Sequence, residues 1–222
     1  AMEYMMADKH PKFSVKQTDY GLQIAARRDS GENYYWRITQ YLAPVYTMVP
    51  GHLGPGQTFM GHAWVPIEDE NVWTFSLSWN GDRELEDDER YRLLHGDGIH
   101  ADSDEKYRPI RNIENDYLID RNKQKNDNFT GIDGIGEQDM SVQESMGRIV
   151  DRSLERLGTS DSGIIAFRRM MVRMARELEQ GKEPEMAPHG DRYKVRPATV
   201  ILSPDVPFSE GASKEMQVPA HV

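Results

Sequence analysis

The sequence predicts an α+β fold in which an antiparallel β-sheet is followed by a pair of helices. The first eighty residues contain runs of aromatic and β-branched residues separated by turn residues, which is typical of short strands. From about residue 137 the apolar residues recur at helical spacing. The 222 residues, 37% of them hydrophobic, suffice for one large domain. We predict a domain over 1–183, with the sheet at 12–80, a polar connection at 81–135 and helices at 136–181.

Five segments of the first part have the composition of strands. The clearest is the last, where Trp73, Phe75, Leu77 and Trp79 alternate with small or polar residues. This alternation predicts a strand with one face against a core, and therefore a sheet covered on one side. The predicted strands are 13–16, 20–27, 34–46, 58–67 and 72–79.

The connection at 81–135 is rich in charged residues, Gly, Asn and Asp. A structureless loop of that length is improbable in a compact domain, so we predict short helix or turn at 86–94 and 117–121.

Two longer helices are predicted after the connection. The first runs over 137–157 and is closed by Gly158, and the second starts within 159–161 and ends at Gly181. We interpret the Met-rich face of the second helix as core packing against the sheet rather than as a partner-binding groove, because Met fills irregular cores well. Residues 184–222 are Pro-rich with little apolar periodicity, which predicts a C-terminal tail that can wrap over a neighbour.

Composition excludes several classes of function. The net charge of −10 argues against a nucleic-acid or anionic-membrane partner, because both recruit basic patches. We see neither a run of about 18 apolar residues nor a leader, so we expect a cytoplasmic location. The absence of Cys excludes disulfides, thiolate zinc sites and an iron–sulfur cluster on this chain. Any metal must be held by His, Asp or Glu, and no phosphate loop or Gly-x-Ser-x-Gly elbow supports a nucleotide-binding or hydrolase function.

Asp139 is the most informative residue of the predicted first helix. In that helix it falls in register with Met146, Val150 and Leu157, so its carboxylate would be drawn toward the interior. A buried unpaired charge is costly. A metal ion, a basic partner or a frayed first turn that reaches water would each remove the cost, and the helix dipole also favours acidic residues near the start. The residues alone leave these alternatives open.

The histidines are weaker candidates for metal ligands. His95 and His100, with Asp97, Asp102 and Asp104 nearby, have a spacing that suits one metal. Two glycines make this loop mobile, however, which favours a histidine pair without a ligand role. We interpret His52 and His62 as surface or core histidines.

Arg37 lies among aromatic residues in the predicted strand 34–46. A guanidinium there can grip a substrate carboxylate through two parallel hydrogen bonds. The alternative is a strand arginine that faces solvent or stacks on a tyrosine.

Several spaced blocks together resemble the C-terminal part of the catalytic domain of Rieske non-haem iron ring-hydroxylating oxygenase large subunits, in the phthalate-dioxygenase-like branch. The most telling block is Glu137-Gln138-Asp139-Met140. The resemblance extends upstream through 64–67, 69–73 and 20–46, and thus covers nearly the whole chain. The other blocks are 115–121, 129–132, 144–147, 149–152 and 155–161.

The resemblance implies a helix-grip, START-like fold, in which the sheet grips a long helix, and a mononuclear Fe(II) held by two histidines and one carboxylate. It assigns the carboxylate to Asp139. The family's [2Fe–2S] cluster needs two Cys and two His, and its iron-binding histidine pair would precede residue 1. We therefore reject His95 and His100 as ligands and expect a truncated piece or one half of a split oxygenase.

The function implied is that of the oxygenase component of an aromatic-degradation system. Its substrates would be an aromatic carboxylate, bound by Arg37, and O₂. Electrons would come from a reductase through the [2Fe–2S] cluster of a neighbouring subunit in a trimer. The residues do not separate ring cis-dihydroxylation from O-demethylation. The rival class is a non-enzymatic helix-grip domain that binds a hydrophobic small molecule, or an inactive fragment.

Overall fold

The computed structural model describes residues 2–51, 53–54, 56–95, 99–186 and 188–218. Within these ranges the chain forms seven strands and six α-helices. The strands are β1 (Lys12–Gln17), β2 (Gly21–Ser30), β3 (Asn33–Leu42), β4 (Tyr46–Val49), β5 (Phe59–Pro66), β6 (Val72–Trp79) and β7 (Ala198–Leu202). The helices are α1 (Met2–Ala7), α2 (Asp87–Leu94), α3 (Arg121–Asn126), α4 (Ile135–Ser145), α5 (Ser162–Glu179) and α6 (Phe208–Gly211). No helix in the described part is long and apolar enough to cross a membrane.

One antiparallel sheet contains all seven strands. Its order is β1-β2-β3-β4-β5-β6, so that β1 and β6 lie at the edges. β7 pairs with residues 34–38 of β3, while β4 pairs with residues 40–42 of the same strand. The predicted α+β class, with an antiparallel sheet and a long C-terminal helix, is confirmed.

α5 covers one face of the sheet, here called the helix face. Met170 and Met174 are buried against Leu22 and Tyr41, and the ring of Phe167 meets Tyr41 edge to face at 4.9 Å. The Met-rich face is thus core packing, as predicted. Gly163 allows the close approach at the start of α5, because a Cβ there would lie 2.9 Å from Cγ2 of Ile24.

The opposite face carries a second core built largely by the end of the chain. Trp36 and Ile38 of β3 pack with Val200 of β7 and with Ala212 and Met216 beyond it. Residues 198–202 therefore belong to the sheet, although the Pro-rich sequence of 184–222 predicted a tail. The division of the chain at residue 183 stays a prediction. The tail predicted at 184–222 contains β7, which pairs with β3.

The prediction that β6 turns its alternating apolar face to a core is wrong for the described residues. Trp73, Phe75 and Leu77 are 37%, 47% and 46% exposed. The strand itself has the predicted bounds, but it is the edge of the sheet, and the helices that cover the sheet lie elsewhere.

The helices partly match their predicted positions. α2 agrees with the short helix predicted at 86–94, and α5 ends before Gly181, whose φ is +78°. Around the predicted 117–121 segment the structure has a 3₁₀ helix at Ile113–Leu118 and α3 just after it. The predicted helix at 137–157 is wrong in length, as described below.

Candidate functional site

α4 carries Asp139 and is shorter than the sequence predicted. It follows Gly134, whose φ is +82°, and ends at Ser145, with Met146 as the C-cap. Gly147 adopts a φ of +92°, a left-handed conformation that terminates helices and suits glycine. The chain beyond it forms a short 3₁₀ helix at Arg152–Leu154 instead of continuing α4.

The early end of α4 removes the apolar stripe to which Asp139 was assigned. Met146, Val150 and Leu157 all lie outside the helix, and Met146 and Leu157 are 53% and 44% exposed. Asp139 itself is exposed and takes part in no hydrogen bond or ion pair with the described residues. The expectation of an inward-facing carboxylate is therefore wrong, and its oxygens are free to accept a ligand.

The buried carboxylate of this helix is Glu137. It is 8% exposed, and its Oε2 lies 2.5 Å from Nε of Arg111. Arg111 also donates from Nη1 to the carbonyl oxygens of Tyr117 and Leu118, both at 2.9 Å. This ion pair joins the first turn of α4 to the 3₁₀ helix before it. A carboxylate in the first turn also interacts favourably with the helix dipole.

A second contact holds the first turn of α4 from another direction. A Cβ on Gly136 would lie 2.7 Å from the carbonyl oxygens of both Ile99 and His100, so only glycine fits there without displacement. The Ile99 carbonyl also accepts a hydrogen bond from Nε2 of His62 at 3.0 Å and a longer one from the Ser76 hydroxyl at 3.5 Å. β5 and β6 are thereby connected to α4 through one carbonyl group.

The surroundings of His62 favour the neutral form of its imidazole. Burial is the main reason that its pKa lies below the usual value, while the hydrogen bond to Ile99 and the charge of Asp139 act in the opposite direction. His100 lowers the pKa further. The charge of Asp139 thus acts on the imidazole of His62.

Arg37 lies on the same face of the sheet as His62. Arg37 and Tyr41 are on one face of β3 because side chains alternate along a strand. Tyr41 pairs with Thr47, and Thr47 with His62, so all belong to the helix face. The structure therefore puts Arg37 and His62 on one face, with Asp139 near His62.

The guanidinium of Arg37 is half-buried and already has two partners. Nη2 donates to the carbonyl of Pro50 at 2.7 Å and Nη1 contacts Sδ of Met5 at 3.1 Å, while Nε is buried without a partner. Burial lowers the pKa of Arg37, although it remains charged at neutral pH. Nε is thus a buried donor whose hydrogen bond is unsatisfied among the described residues.

The two histidines of the 95–100 segment lie in different surroundings. His95 is 3.9 Å from Asp102 and lines a polar cleft of about 490 Å³ with Glu137 and Arg111, whereas His100 contacts Gly136 through its carbonyl. Asp104 pairs with Arg108. His52 and Asp97 lie outside the described residues. Among the residues that are described, no group of three or more His, Cys, Asp or Glu is arranged to hold a metal.

The described residues therefore do not make a complete metal site. An iron centre with two histidines and one carboxylate needs three protein ligands, and the described residues contain no such group.

Comparison with known proteins identifies the family. The family model described as LigXa C-terminal domain like matches residues 4–202. The chain belongs to this LigXa C-terminal domain-like family. The match includes β1 to β7, α4 and α5, so it covers the sheet, the helix of Asp139 and the long helix together.

Relatives of this LigXa C-terminal domain-like chain include three oxygenase subunits. The phthalate 4,5-dioxygenase oxygenase subunit of Pseudomonas putida is 34% identical over 180 residues, which is 79% of this chain and 40% of the relative. The 3-chlorobenzoate-3,4-dioxygenase oxygenase subunit of Comamonas testosteroni is 30% identical over 208 residues, covering 87% and 48%. The 5,5'-dehydrodivanillate O-demethylase oxygenase subunit of Sphingobium sp. is 25% identical over 185 residues, covering 80% and 35%.

The chain spans less than half the length of these relatives. The predicted resemblance to phthalate-dioxygenase-like oxygenase subunits is confirmed.

Sequence reasoning missed three residues of the candidate site, namely Glu137, Arg111 and Gly136. Glu137 and Ser141 are four residues apart and form the buried side of α4, but both are polar, so no apolar periodicity marked that side. Nor did any signal mark Arg111, which is 26 positions away in a polar segment and meets Glu137 only through the fold.

Proposed function

We propose that the complete protein is the oxygenase component of a Rieske-type aromatic oxygenase that hydroxylates an aromatic carboxylate with O₂ at a mononuclear Fe(II). The observation that carries this proposal is the similarity to three oxygenase subunits, one of them 34% identical over 79% of the chain. Two of these act, by name, on phthalate or 3-chlorobenzoate, which are aromatic carboxylates.

Asp139 is our proposed ligand from this chain to the iron. Its support is the match of Glu137-Gln138-Asp139-Met140 to the family motif, together with its exposed and unpaired carboxylate. Bound iron would supply O₂ activation, and the remaining ligands and the [2Fe–2S] cluster would lie in the rest of the protein. Because a single ligand does not hold such an ion, we expect the 222-residue chain alone to bind little iron and to show no turnover.

Arg37 is our proposed contact for the substrate carboxylate. It lies on the helix face with His62, and its buried Nε lacks a hydrogen-bond partner. A carboxylate would provide that partner and compensate the partly desolvated guanidinium. The partners we propose for the complete protein are an electron-transfer reductase and further copies of itself, as a trimer.

The test of the metal assignment is the iron content of the complete protein. We expect purified wild-type protein to contain iron and Asp139→Ala to lose it. Asp127→Ala is a matched control, because Asp127 is also an exposed aspartate and has no side-chain hydrogen bond among the described residues. Unchanged iron content in Asp139→Ala would exclude the ligand assignment.

The reaction type requires a separate measurement, since the relatives include both dioxygenases and an O-demethylase. A methoxybenzoate substrate distinguishes them. O-demethylation releases formaldehyde, whereas ring cis-dihydroxylation gives a dihydrodiol without formaldehyde.

A further inference from the structure

His62 joins the sheet to the helix of Asp139 through a backbone carbonyl. Its Nε2 lies 3.0 Å from the carbonyl oxygen of Ile99. A carbonyl oxygen only accepts hydrogen bonds, so Nε2 carries the proton and donates it. The ring of His62 also lies 4.6 Å from the ring of Trp64, on the same strand, which restricts its orientation.

α4 packs directly against the carbonyl that His62 binds. The Cα of Gly136 approaches so closely that a Cβ would lie 2.7 Å from the oxygens of both Ile99 and His100. Any shift of the Ile99 carbonyl is therefore transmitted to the first turn of α4, because van der Waals contact leaves no space to absorb it. Asp139 follows three positions later and shares this side of the helix with Gly136.

The Glu137–Arg111 ion pair holds a different side of the same turn. Residues at successive positions of a helix are rotated by about 100°, so the contacts of Gly136 and Glu137 act in different directions. Together they fix the first turn in two directions. The contact through Gly136 sets the distance of α4 from the sheet, and the hydrogen bond from His62 fixes the carbonyl against which it packs.

We propose that His62 is a positioning residue whose hydrogen bond to the Ile99 carbonyl sets the place of the first turn of α4, and hence of Asp139, relative to the helix face of the sheet. This inference rests on the proposed function in so far as Asp139 is an iron ligand. His62 itself contacts neither iron nor substrate in this role.

The test compares two substitutions of His62 in the complete protein. Gln keeps a terminal N–H donor of similar reach, whereas Leu has similar bulk and no donor. We expect His62→Leu to increase hydrogen–deuterium exchange in peptides covering 135–145 by up to about tenfold, the scale of one lost hydrogen bond. His62→Gln should restore exchange close to that of the wild type, and peptides covering 162–179 should be unchanged in both variants.

The same variants are then titrated with Fe(II) after chelator treatment. We expect His62→Leu to bind iron up to about tenfold more weakly than His62→Gln, in proportion to the looser α4. Equal exchange over 135–145 in the wild type, His62→Leu and His62→Gln would overturn the proposal, and so would unchanged iron affinity in a protein that loses iron with Asp139→Ala.

A second pair of variants covers the case in which His62→Leu does not fold. Gly136→Ala places a methyl group against the Ile99 and His100 oxygens, and we expect it to increase exchange over 135–145 as well. Gly158→Ala is the control, since its Cβ meets only side-chain atoms at 3.9 Å. If Asp139→Ala leaves iron content unchanged while His62→Leu loosens α4, the metal assignment fails and the positioning of α4 by His62 stands.

Discussion

Arg111 and Glu137 form a largely buried ion pair, with side chains 23% and 10% exposed and Nε and Oε2 2.5 Å apart. Removing one partner of such a pair leaves a desolvated charge, which is more costly than losing both. We expect Arg111→Met to lower the free energy of unfolding by about 3 kcal/mol, and the double variant Arg111→Met/Glu137→Leu to recover most of it.

Urea unfolding of the single and double variants measures this coupling. The matched control is Arg108→Met, because the Arg108–Asp104 pair has the same chemistry but side chains 71% and 38% exposed. Exposed pairs contribute under about 1 kcal/mol. A double variant less stable than Arg111→Met would contradict the assignment of the cost to an unpaired Glu137.

The close approach of Gly163 to Ile24 predicts that the effect of Gly163→Ala on stability depends on the residue at position 24. Gly163→Ala places a Cβ about 2.9 Å from Cγ2 of Ile24, a stiff β-branched side chain. We expect it to destabilise the protein by about 1 kcal/mol. In an Ile24→Ala background the clash is absent, so the same substitution should be neutral or slightly stabilising, as Ala favours helix. Thermal unfolding of the four proteins checks this, and an equal cost in both backgrounds would contradict it.

The sheet and α5 could be predicted because their signals are local. Strand composition and turn residues located β1, β2, β3, β5 and β6, although the strand predicted at 34–46 ends at Leu42 and β4 is a separate strand. The Met-rich face of α5 packs as the helical spacing indicated. The strand β7 was missed, although its residues Thr199, Val200 and Ile201 are β-branched, because the Pro-rich sequence around it predicted a tail. It is short, and it is stabilised by pairing with β3, about 160 positions away in the sequence.

Asp139 was wrongly expected to face the interior because one glycine, Gly147, ends α4 early. Helical periodicity continues through Met146 and Val150, but Gly147 in a left-handed conformation ends α4 first. A glycine within a helical pattern is compatible with both outcomes from sequence alone. The match to the family motif is unaffected by this error, because it depends on residue identities and not on the length of the helix.

Acid should weaken the junction between β5 and α2. Glu89 accepts hydrogen bonds from Arg83 and from the Thr58 hydroxyl, which lower its pKa from 4.5 to about 2. A carboxylate with a depressed folded pKa stabilises the protein above its unfolded value, and this contribution is lost as the pH falls toward the folded value. We expect Glu89→Gln to be less stable than the wild type at pH 7 and equally stable near pH 2.

Urea unfolding of both proteins from pH 7 to pH 2 gives this difference directly. The two curves should stay parallel above about pH 5 and converge below pH 4.5, where the unfolded carboxyl group begins to bind its proton. A difference that does not change over this range would mean that Glu89 contributes through packing and not through its charge.

The proposed role of Arg37 predicts selectivity for charged substrates. A hydrogen bond to a charged group contributes about 1.5–3 kcal/mol, so we expect Arg37→Met in the complete protein to raise KM for an aromatic carboxylate by about 10- to 100-fold. The KM of its methyl ester should change far less. The loss of the contact with Pro50 affects both substrates alike, so the ratio of the two effects isolates the carboxylate. Equal changes for acid and ester would assign Arg37 a structural role.

The edge strands β1 and β6 differ in how well charged residues protect them from pairing with another molecule. This difference predicts how the 222-residue chain behaves alone. β1 carries Lys12 and Lys16, whereas β6 has no charged residue and leaves Phe75 and Leu77 about half exposed. An uncharged, apolar edge strand such as β6 promotes association between molecules, whereas charges on an edge strand prevent it.

We expect Phe75→Lys to reduce light scattering and binding of a hydrophobic dye while changing the free energy of unfolding by under about 0.5 kcal/mol. Thr74→Lys adds the same charge to the opposite face, so it should reduce scattering but keep the dye signal. If both variants lose the dye signal equally, the dye reports edge pairing and not the apolar strip of β6.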